Sequence, residues 1–324
     1  MRKQTHKYLD LLNDFSFKFL FGREVNKDVL IAFLNALFEG EKLITDLKYS
    51  PTEHSGAEKQ EKKILFDLLC TGIDGEQFII EMQRTEQKHF RDRAIYYMSR
   101  LISQQLVRGK HNWEKPLDEI YLIAILDFSL ADSDAETYLQ EVCLMNKYSY
   151  KVFYERIGYK FLELTNFDKS EQELTTNLDK WVYLLKNMHL LDKLPEFLNE
   201  GIFQKVFNIT EMSKLTKEER MRYERDLKTK SDYEGGIAYA VEKALIEGIE
   251  KGQKEGREKG RKEGRENGQK EGLEKGQKEG IEKGRKEGRE KAVIEIANKM
   301  KKAGLSSSAI HSLTEIPLEE IEQL

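Results

Sequence analysis

A chain of 324 residues, 39% of them hydrophobic, has room for one sizeable core with added elements or for two small domains. A formal net charge of −4 excludes a generally basic nucleic-acid coat, so a nucleic-acid partner would have to meet a local basic surface. No apolar run reaches the ~18 residues of a membrane span, and no Cys/His spacing suggests zinc, which argues against a membrane partner and a zinc site.

In chain order, Met1 to Leu12 has no long apolar stretch and no small-residue cleavage site, so no signal peptide is read and a reducing cytoplasm is expected. Asn26 to Phe38 carries helical spacing in Val29, Leu30, Phe33, Leu34, Leu37 and Phe38, with Asn26 as N-cap and Gly40 after the end. Leu43 to Tyr49 predicts a short strand and Ile64 to Thr71 an apolar one. Phe78 to Met82 predicts another strand, joined to it through Gly72-Ile73-Asp74-Gly75. Thr85 to Val107 predicts a long helix. Ile120 to Phe128 is continuously apolar, as in a strand buried on both faces. Val142 to Tyr150, Lys151 to Ile157 and Phe161 to Leu164 are further strand candidates. The two cysteines, Cys70 and Cys143, sit in apolar runs and read as small buried hydrophobes. A helix, three strands, a helix and a strand give an α/β arrangement in which a meander precedes a crossover helix. The expected zones are a core over 1–165, a helical extension over 166–245, a low-complexity charged repeat over 246–291 and a small helical segment over 292–324.

Two carboxylates interrupt the apolar strands: Asp67 in Ile64-Leu65-Phe66-Asp67-Leu68-Leu69-Cys70, and Glu81 in Phe78-Ile79-Ile80-Glu81-Met82-Gln83. Buried acids need a counter-charge, a metal or a strand end that reaches water. The turn decides whether they meet. A two-residue loop, Asp74-Gly75, sets Asp67 against Met82 and sends Glu81 to the other face. A three-residue loop, Ile73-Asp74-Gly75 with Gly in the left-handed last position, sets Asp67 opposite Glu81, and this is the preferred register. The two Cβ atoms would then lie roughly 5 Å apart. Their oxygens could share one Mg²⁺ at about 2.1 Å, with the Met82 carbonyl as an extra ligand. Gln83, two residues on, shares the face of Glu81. The bland alternative is a pair of solvated or salt-bridged strand-end acids.

Several segments in order carry a family resemblance. They are Asp14-Phe15-Ser16-Phe17-Lys18-Phe19-Leu20-Phe21-Gly22, Phe33-Leu34-Asn35, Asp67 in its strand, and Ile80-Glu81-Met82-Gln83. Arg91-Asp92-Arg93-Ala94-Ile95-Tyr96-Tyr97 and Ile123-Ala124-Ile125-Leu126-Asp127-Phe128 follow. Over about residues 10 to 300 the pattern resembles the Rpn family of recombination-promoting nucleases, also described as transposases, of the PD-(D/E)XK superfamily. The resemblance implies a restriction-endonuclease-like core: a mixed central sheet flanked by helices, with a helical C-terminal extension. It also implies a magnesium-dependent DNA endonuclease, with Mn²⁺ as a substitute, in which Asp67 matches the first acidic metal ligand and Glu81 the second. Gln83 stands where the superfamily usually has Lys. A neutral amide is no base at pH 7, so Gln83 would orient water or a phosphate oxygen, and activation would fall to the metal.

Asp14 and Lys18 lie one helical turn apart. They read either as a surface ion pair beside a Phe17/Phe21 contact, or with Lys18 supplying the positive charge missing at Gln83. Arg93, Tyr97, Arg100, Gln104 and Arg108 fall near one helix face. That stripe is either solvated or a phosphate-binding surface for DNA, with Arg93, Tyr97 and Arg100 at its centre. Asp127 reads as a strand-end carboxylate capping a turn. His89, His111 and His189 have no metal-ligand spacing.

From Gly248 to Gly288 glycine recurs at every fourth residue. Between Gly248 and Lys291 there are 15 basic and 11 acidic residues, which leaves the remainder of the chain near −8. Each Gly costs a helix about 1 kcal/mol relative to Ala, so the tract is either a flexible charged linker or, preferably, a helical spacer that promotes homo-oligomerisation. Ala292, Ile296, Ala297, Met300, Ile310, Leu313 and Ile321 predict short helices with a turn at Ala303-Gly304-Leu305-Ser306, weakly resembling a helix-turn-helix. The leading functional reading is a DNA endonuclease of recombination or mobile elements. The alternatives are an inactive oligomeric DNA-binding or regulatory protein on the same fold, or a DNA-degrading defence or toxin module. No three-carboxylate spacing supports strand transfer.

Overall fold

The computed structural model describes residues 6–54, 64–105, 115–199 and 201–324. It divides into two compact units, Met1–Tyr233 and Glu234–Leu324.

In the first unit, helix α1 (Asp14–Phe21) begins where Asn13 Oδ1 accepts the Ser16 N–H. Helix α2 (Lys27–Leu37) follows. The Asn26 side chain does not cap it but donates to the Phe19 carbonyl at 3.1 Å, tying α2 to α1. Asn35 clamps the exit of α2, donating to Ile44 C=O (2.9 Å) and accepting from Ile44 N–H (2.7 Å), and strand β1 is shorter than expected, Leu47–Tyr49. Strands β2 (Glu53–His54) and β3 (Ile64–Leu65) form a separate two-stranded ribbon. Strands β4 (Leu68–Gly72) and β5 (Gln77–Gln83) form the hairpin, so the strand expected over Ile64 to Thr71 is broken at Phe66-Asp67.

Helix α3 spans Phe90–Gln105, starting later than Thr85 because His89 takes a left-handed φ of 66°; Val107 lies outside the described residues. Strand β6 (Ile120–Leu126) is buried on both faces, as its apolar run requires. Strand β7 (Leu139–Met145) stops well before Tyr150. Asn146 Oδ1 accepts the N–H groups of Tyr148 and Ser149, both at 2.9 Å, and turns the chain. Strand β8 then runs unbroken from Val152 to Glu163, where two shorter strands were expected. Helices α4 (Asn177–Asn187) and α5 (Gly201–Thr210) complete this part.

The sheet order is β1-β4-β5-β6-β8-β7, with β5, β6 and β8 mutually parallel. Alternation divides it into two cores. Cys70, Phe78, Ile80, Ile123 and Ile125 pack against α1, α2, α4 and α5; Leu69, Ile79, Leu122 and Ala124 pack under α3. Cys70 is buried, as read from the sequence. Cys143 is exposed, because β7 is the sheet edge and nothing described covers that side.

Helix α6 spans Lys217–Lys302 and includes the glycines at every fourth position. Ion pairs at i,i+4 recur between them, such as Lys251–Glu255 and Lys259–Glu263, both 3.9 Å. In the second unit, α7 (Ser307–Thr314) and α8 (Leu318–Gln323) follow a turn at Gly304 (φ 84°). Ala297, Ile310, Ile316 and Ile321 form a small core there. Among the described residues no helix is long and apolar enough to cross a membrane.

Candidate active site

The β4–β5 hairpin turns through three residues, Ile73-Asp74-Gly75. Gly72 N–H donates to Glu76 C=O at 2.8 Å, and Gly75 takes φ 89°, a conformation that would strain any side chain. A Cβ at Gly72 would lie 2.4 Å from the buried Glu76 carboxyl, which folds back to accept the Asp74 N–H and would have to move aside. The ladder pairs Thr71 with Gln77, Cys70 with Phe78, Leu69 with Ile79 and Leu68 with Ile80. Continued by one step, this register sets Asp67 opposite Glu81.

At that step side chains replace the main-chain ladder. Asp67 N–H donates to Glu81 Oε1 at 3.3 Å, and Met82 N–H donates to Asp67 Oδ2 at 2.9 Å. This exchange explains the break at Asp67, since a backbone donor that bonds a carboxylate is lost to the ladder. Within a strand the carbonyl of Met82 points to the same side as its N–H. Its counterpart in a continued ladder, Phe66 N–H, donates instead to Thr52 C=O at 3.0 Å. The Met82 carbonyl is therefore directed to the side where Asp67 stands.

Glu81 faces α3, because Ile79, two residues before it in β5, belongs to the core beneath that helix, and Asp67 meets it from the break before β4. Gln83 shares the face and donates from Nε2 to Glu81 Oε2 at 3.3 Å. Lys18 arrives from α1, its Nζ 2.6 Å from Asp14 Oδ1 and 3.4 Å from Asp67 Oδ1. The Asp14–Lys18 pair is thus more than a surface contact. Gly22 permits this approach: a Cβ there would meet Leu68 Cδ2 and the Lys18 carbonyl, each at 2.8 Å. Phe17 and Phe21 pack together at 5.3 Å beneath.

The electrostatics of the pair are unbalanced. Glu81 is 4% exposed, and burial, aided by the Asp67 carboxylate, pushes its pKa up to about 8 against the pull of Arg93 and Gln83. Burial also raises Asp67, although the Met82 N–H and Lys18 favour its ionised form. Lys18 is held protonated: burial opposes its charge, but Asp14 and Asp67 outweigh that.

From α3, Arg93 and Tyr97 are half-buried and close enough for their groups and Glu81 to feel one another electrostatically. The Tyr97 ring stands edge-on to Phe66 at 5.2 Å, and the Arg93 guanidinium lies 5.8 Å from the Tyr97 ring centre. Arg93 Nη1 donates to Gln87, while its buried Nε has no hydrogen-bond partner among the described residues. Arg100 is half-buried two turns beyond Arg93, Gln104 is exposed, and Arg108 lies outside the described residues.

Asp127 stands apart from this group. Arg84, next after Gln83 and on the opposite face by alternation, places Nε 3.6 Å from Asp127 and Nη1 2.8 Å from Asp10. Asp127 thus ends β6 in an ion pair, where a turn cap was expected. Nothing in the local sequence pointed to Arg84, because its main partner is 74 residues away. His89 is exposed and lies 3.1 Å from Asp92, His189 stands edge-on to His6 at 5.6 Å, and His111 lies outside the described residues.

The corner offers oxygen donors only: two carboxylates and a main-chain carbonyl. That is the set preferred by a hard divalent cation which keeps several of its waters. Among the described residues no cluster of three or more His, Cys, Asp or Glu side chains is placed to hold a metal by side chains alone.

Comparison with curated proteins and with solved structures finds no match. Residues 11–240 match the family described as PD-(D/E)XK nuclease family transposase. The match covers more than half of the chain and takes in the whole sheet, the hairpin acids and α3. The chain therefore belongs to the PD-(D/E)XK nuclease family transposases.

Proposed function

We propose that the chain is a magnesium-dependent endonuclease that hydrolyses DNA phosphodiester bonds in recombination or mobile-element processes. The observation that supports this reading is the hydrogen-bonded corner of Glu81, buried in β5, and Asp67, partly buried just before β4, with Lys18 against Asp67. Two such acids are hard to keep charged together without a cation.

In this reading Asp67, Glu81 and the Met82 carbonyl hold Mg²⁺, for which Mn²⁺ could substitute. The bound ion supplies Lewis-acid charge to the phosphate and lowers the pKa of water. Gln83 cannot take a proton, so its amide, held against Glu81, positions the attacking water or a phosphate oxygen. Lys18 sets a positive charge beside Asp67, where a non-bridging phosphate oxygen would lie. Arg93, Tyr97 and Arg100 present cations and a hydroxyl from α3 to the neighbouring phosphates.

The test is plasmid cleavage with Mg²⁺ by the parent and by Asp67→Ala. Nicking by the parent and loss in the variant is the expected result. Equal nicking by both would remove Asp67 from the site, and a folded parent inert with both Mg²⁺ and Mn²⁺ would remove the enzymatic reading.

A further inference from the structure

A cleft of about 460 Å³ opens beside the candidate active site, between α1 and the first turns of α6, within the first unit. Four cations line it: Lys18 and Arg23 from one wall, Arg222 and Arg225 from the other. Arg222, Arg225 and Thr229 stand at spacings of three and four, so one face of α6 looks onto the cleft. Asp226, between them, is already committed. It accepts the Phe15 N–H at 3.1 Å and ties the two walls together. Phe15 and Phe19, stacked at 5.4 Å, also line the cleft.

The arginines are held loosely. Arg23 pairs with Glu219 at 2.8 Å and lies over the Phe19 ring, and Arg222 pairs with Glu218 at 2.6 Å in an exposed contact. Exposed pairs of this kind contribute little and exchange readily for a phosphate. Arg225 is exposed and makes no ion pair among the described residues. Lys18 connects the cleft to the acids, since it lines the cleft while its Nζ lies 3.4 Å from Asp67. In a chain of net charge −4, a group of cations opening onto the acid pair needs an explanation.

We propose that this cleft is a phosphate track, in which Arg222 and Arg225 hold backbone phosphates of the DNA strand next to the phosphodiester at Asp67 and Glu81. The assignment rests on the nuclease reading above and deepens it. Contacts of this kind fix the position of the strand and carry no sequence information, so the track serves any sequence.

The experiment measures binding of a short fluorescent DNA duplex to the full chain in Ca²⁺, across a range of salt concentrations. Each lost phosphate contact lowers the steepness of log K against log salt by about 0.9. Arg222→Gln with Arg225→Gln should therefore flatten the slope by about 1.8 and weaken binding about tenfold at low salt. Arg257→Gln with Arg261→Gln, in the glycine repeat, removes the same charge and should leave the slope within about 0.5 of the parent. An unchanged slope in the cleft variant overturns the track, as does an equal flattening in the repeat variant. Thermal unfolding checks that both variants fold.

Cleavage separates this idea from the reading beneath it. A cleft variant that binds and cleaves like the parent, while Asp67→Ala does not cleave, refutes the track and leaves the nuclease standing. A parent that binds but never cleaves, with the slope flattened in the cleft variant alone, refutes the nuclease and leaves the track as a DNA-binding surface. A parent that does not bind DNA refutes the track outright.

Discussion

Two groups of acids flank the C-terminal end of β5, and they are built in opposite ways. Asp10, 7% exposed, sits against Arg84 at 2.8 Å and accepts the Leu12 N–H. Burial works against its charge, yet these partners hold its carboxyl below the usual range. Glu81 is buried too and Asp67 partly so, but their partners are mainly peptide N–H groups, one amide and a half-exposed lysine, and both are raised. The first group carries its own guanidinium and serves the fold. The second shares one lysine with Asp14 and feels Arg93 without an ion pair to it, and it is suited to receiving a cation from outside. A buried carboxylate is informative about function when its compensation is incomplete.

The contrast can be broken by substitution. The largest expected effect is on chemistry: Asp67→Ala should lower plasmid cleavage by about 10³-fold, since a metal ligand supports several kcal/mol of transition-state stabilisation. A loss below about tenfold would mean that the acid does not hold the ion.

Stability comes next, with opposite signs on the two sides of β5. Asp10→Asn leaves Arg84 with only the longer Asp127 pair at 3.6 Å and should lower the unfolding free energy by about 2 kcal/mol, reduced from the value for a fully buried pair because Arg84 is partly exposed and keeps that partner. Glu81→Gln removes an under-compensated acid and should leave stability unchanged or raise it by about 1 kcal/mol while abolishing cleavage. Denaturant melts of both variants decide this. Equal destabilisation would erase the distinction between the two groups.

The smallest effect is in pH dependence. Glu81 titrates near 8 when folded and near 4.5 when unfolded, so between these values the folded chain holds the extra proton. Without metal, this acid makes stability fall as pH rises from about 5 to 8. Asp10 acts in reverse: its carboxyl is lowered by folding, so its contribution is present above pH 4 and is lost as pH falls below its usual value of 3.8. Melting curves in EDTA should show the first slope in the parent and a flatter one in Glu81→Gln. An identical slope in both would assign it to another group.

Much of the site's local geometry is legible in the residues themselves. Ile73-Asp74-Gly75 announces a three-residue turn through its glycine, and that turn alone dictates which residues oppose across the strands. The period of two then places Glu81 and Gln83 together, and a turn of helix brings Lys18 beside Asp14. Strand ends were less legible. The run Ile64 to Thr71 gives no sign that Asp67 trades its ladder bond for the Glu81 carboxylate, nor does an apolar window place Cys143 on an open edge.

By itself, then, the sequence determined the α/β order, the hairpin register and the pairing of two acids, because these depend on contacts within a few residues or across one tight turn. The tertiary structure alone decided which acids would be compensated and which cations would gather. Arg84 reaches Asp10 across 74 residues, and Asp226 reaches Phe15 across 211, to join α6 to α1. Contacts at such separations leave no periodicity in the chain; they come from packing α1 on the sheet and the start of α6 on α1, which brings distant charges into one low-dielectric neighbourhood.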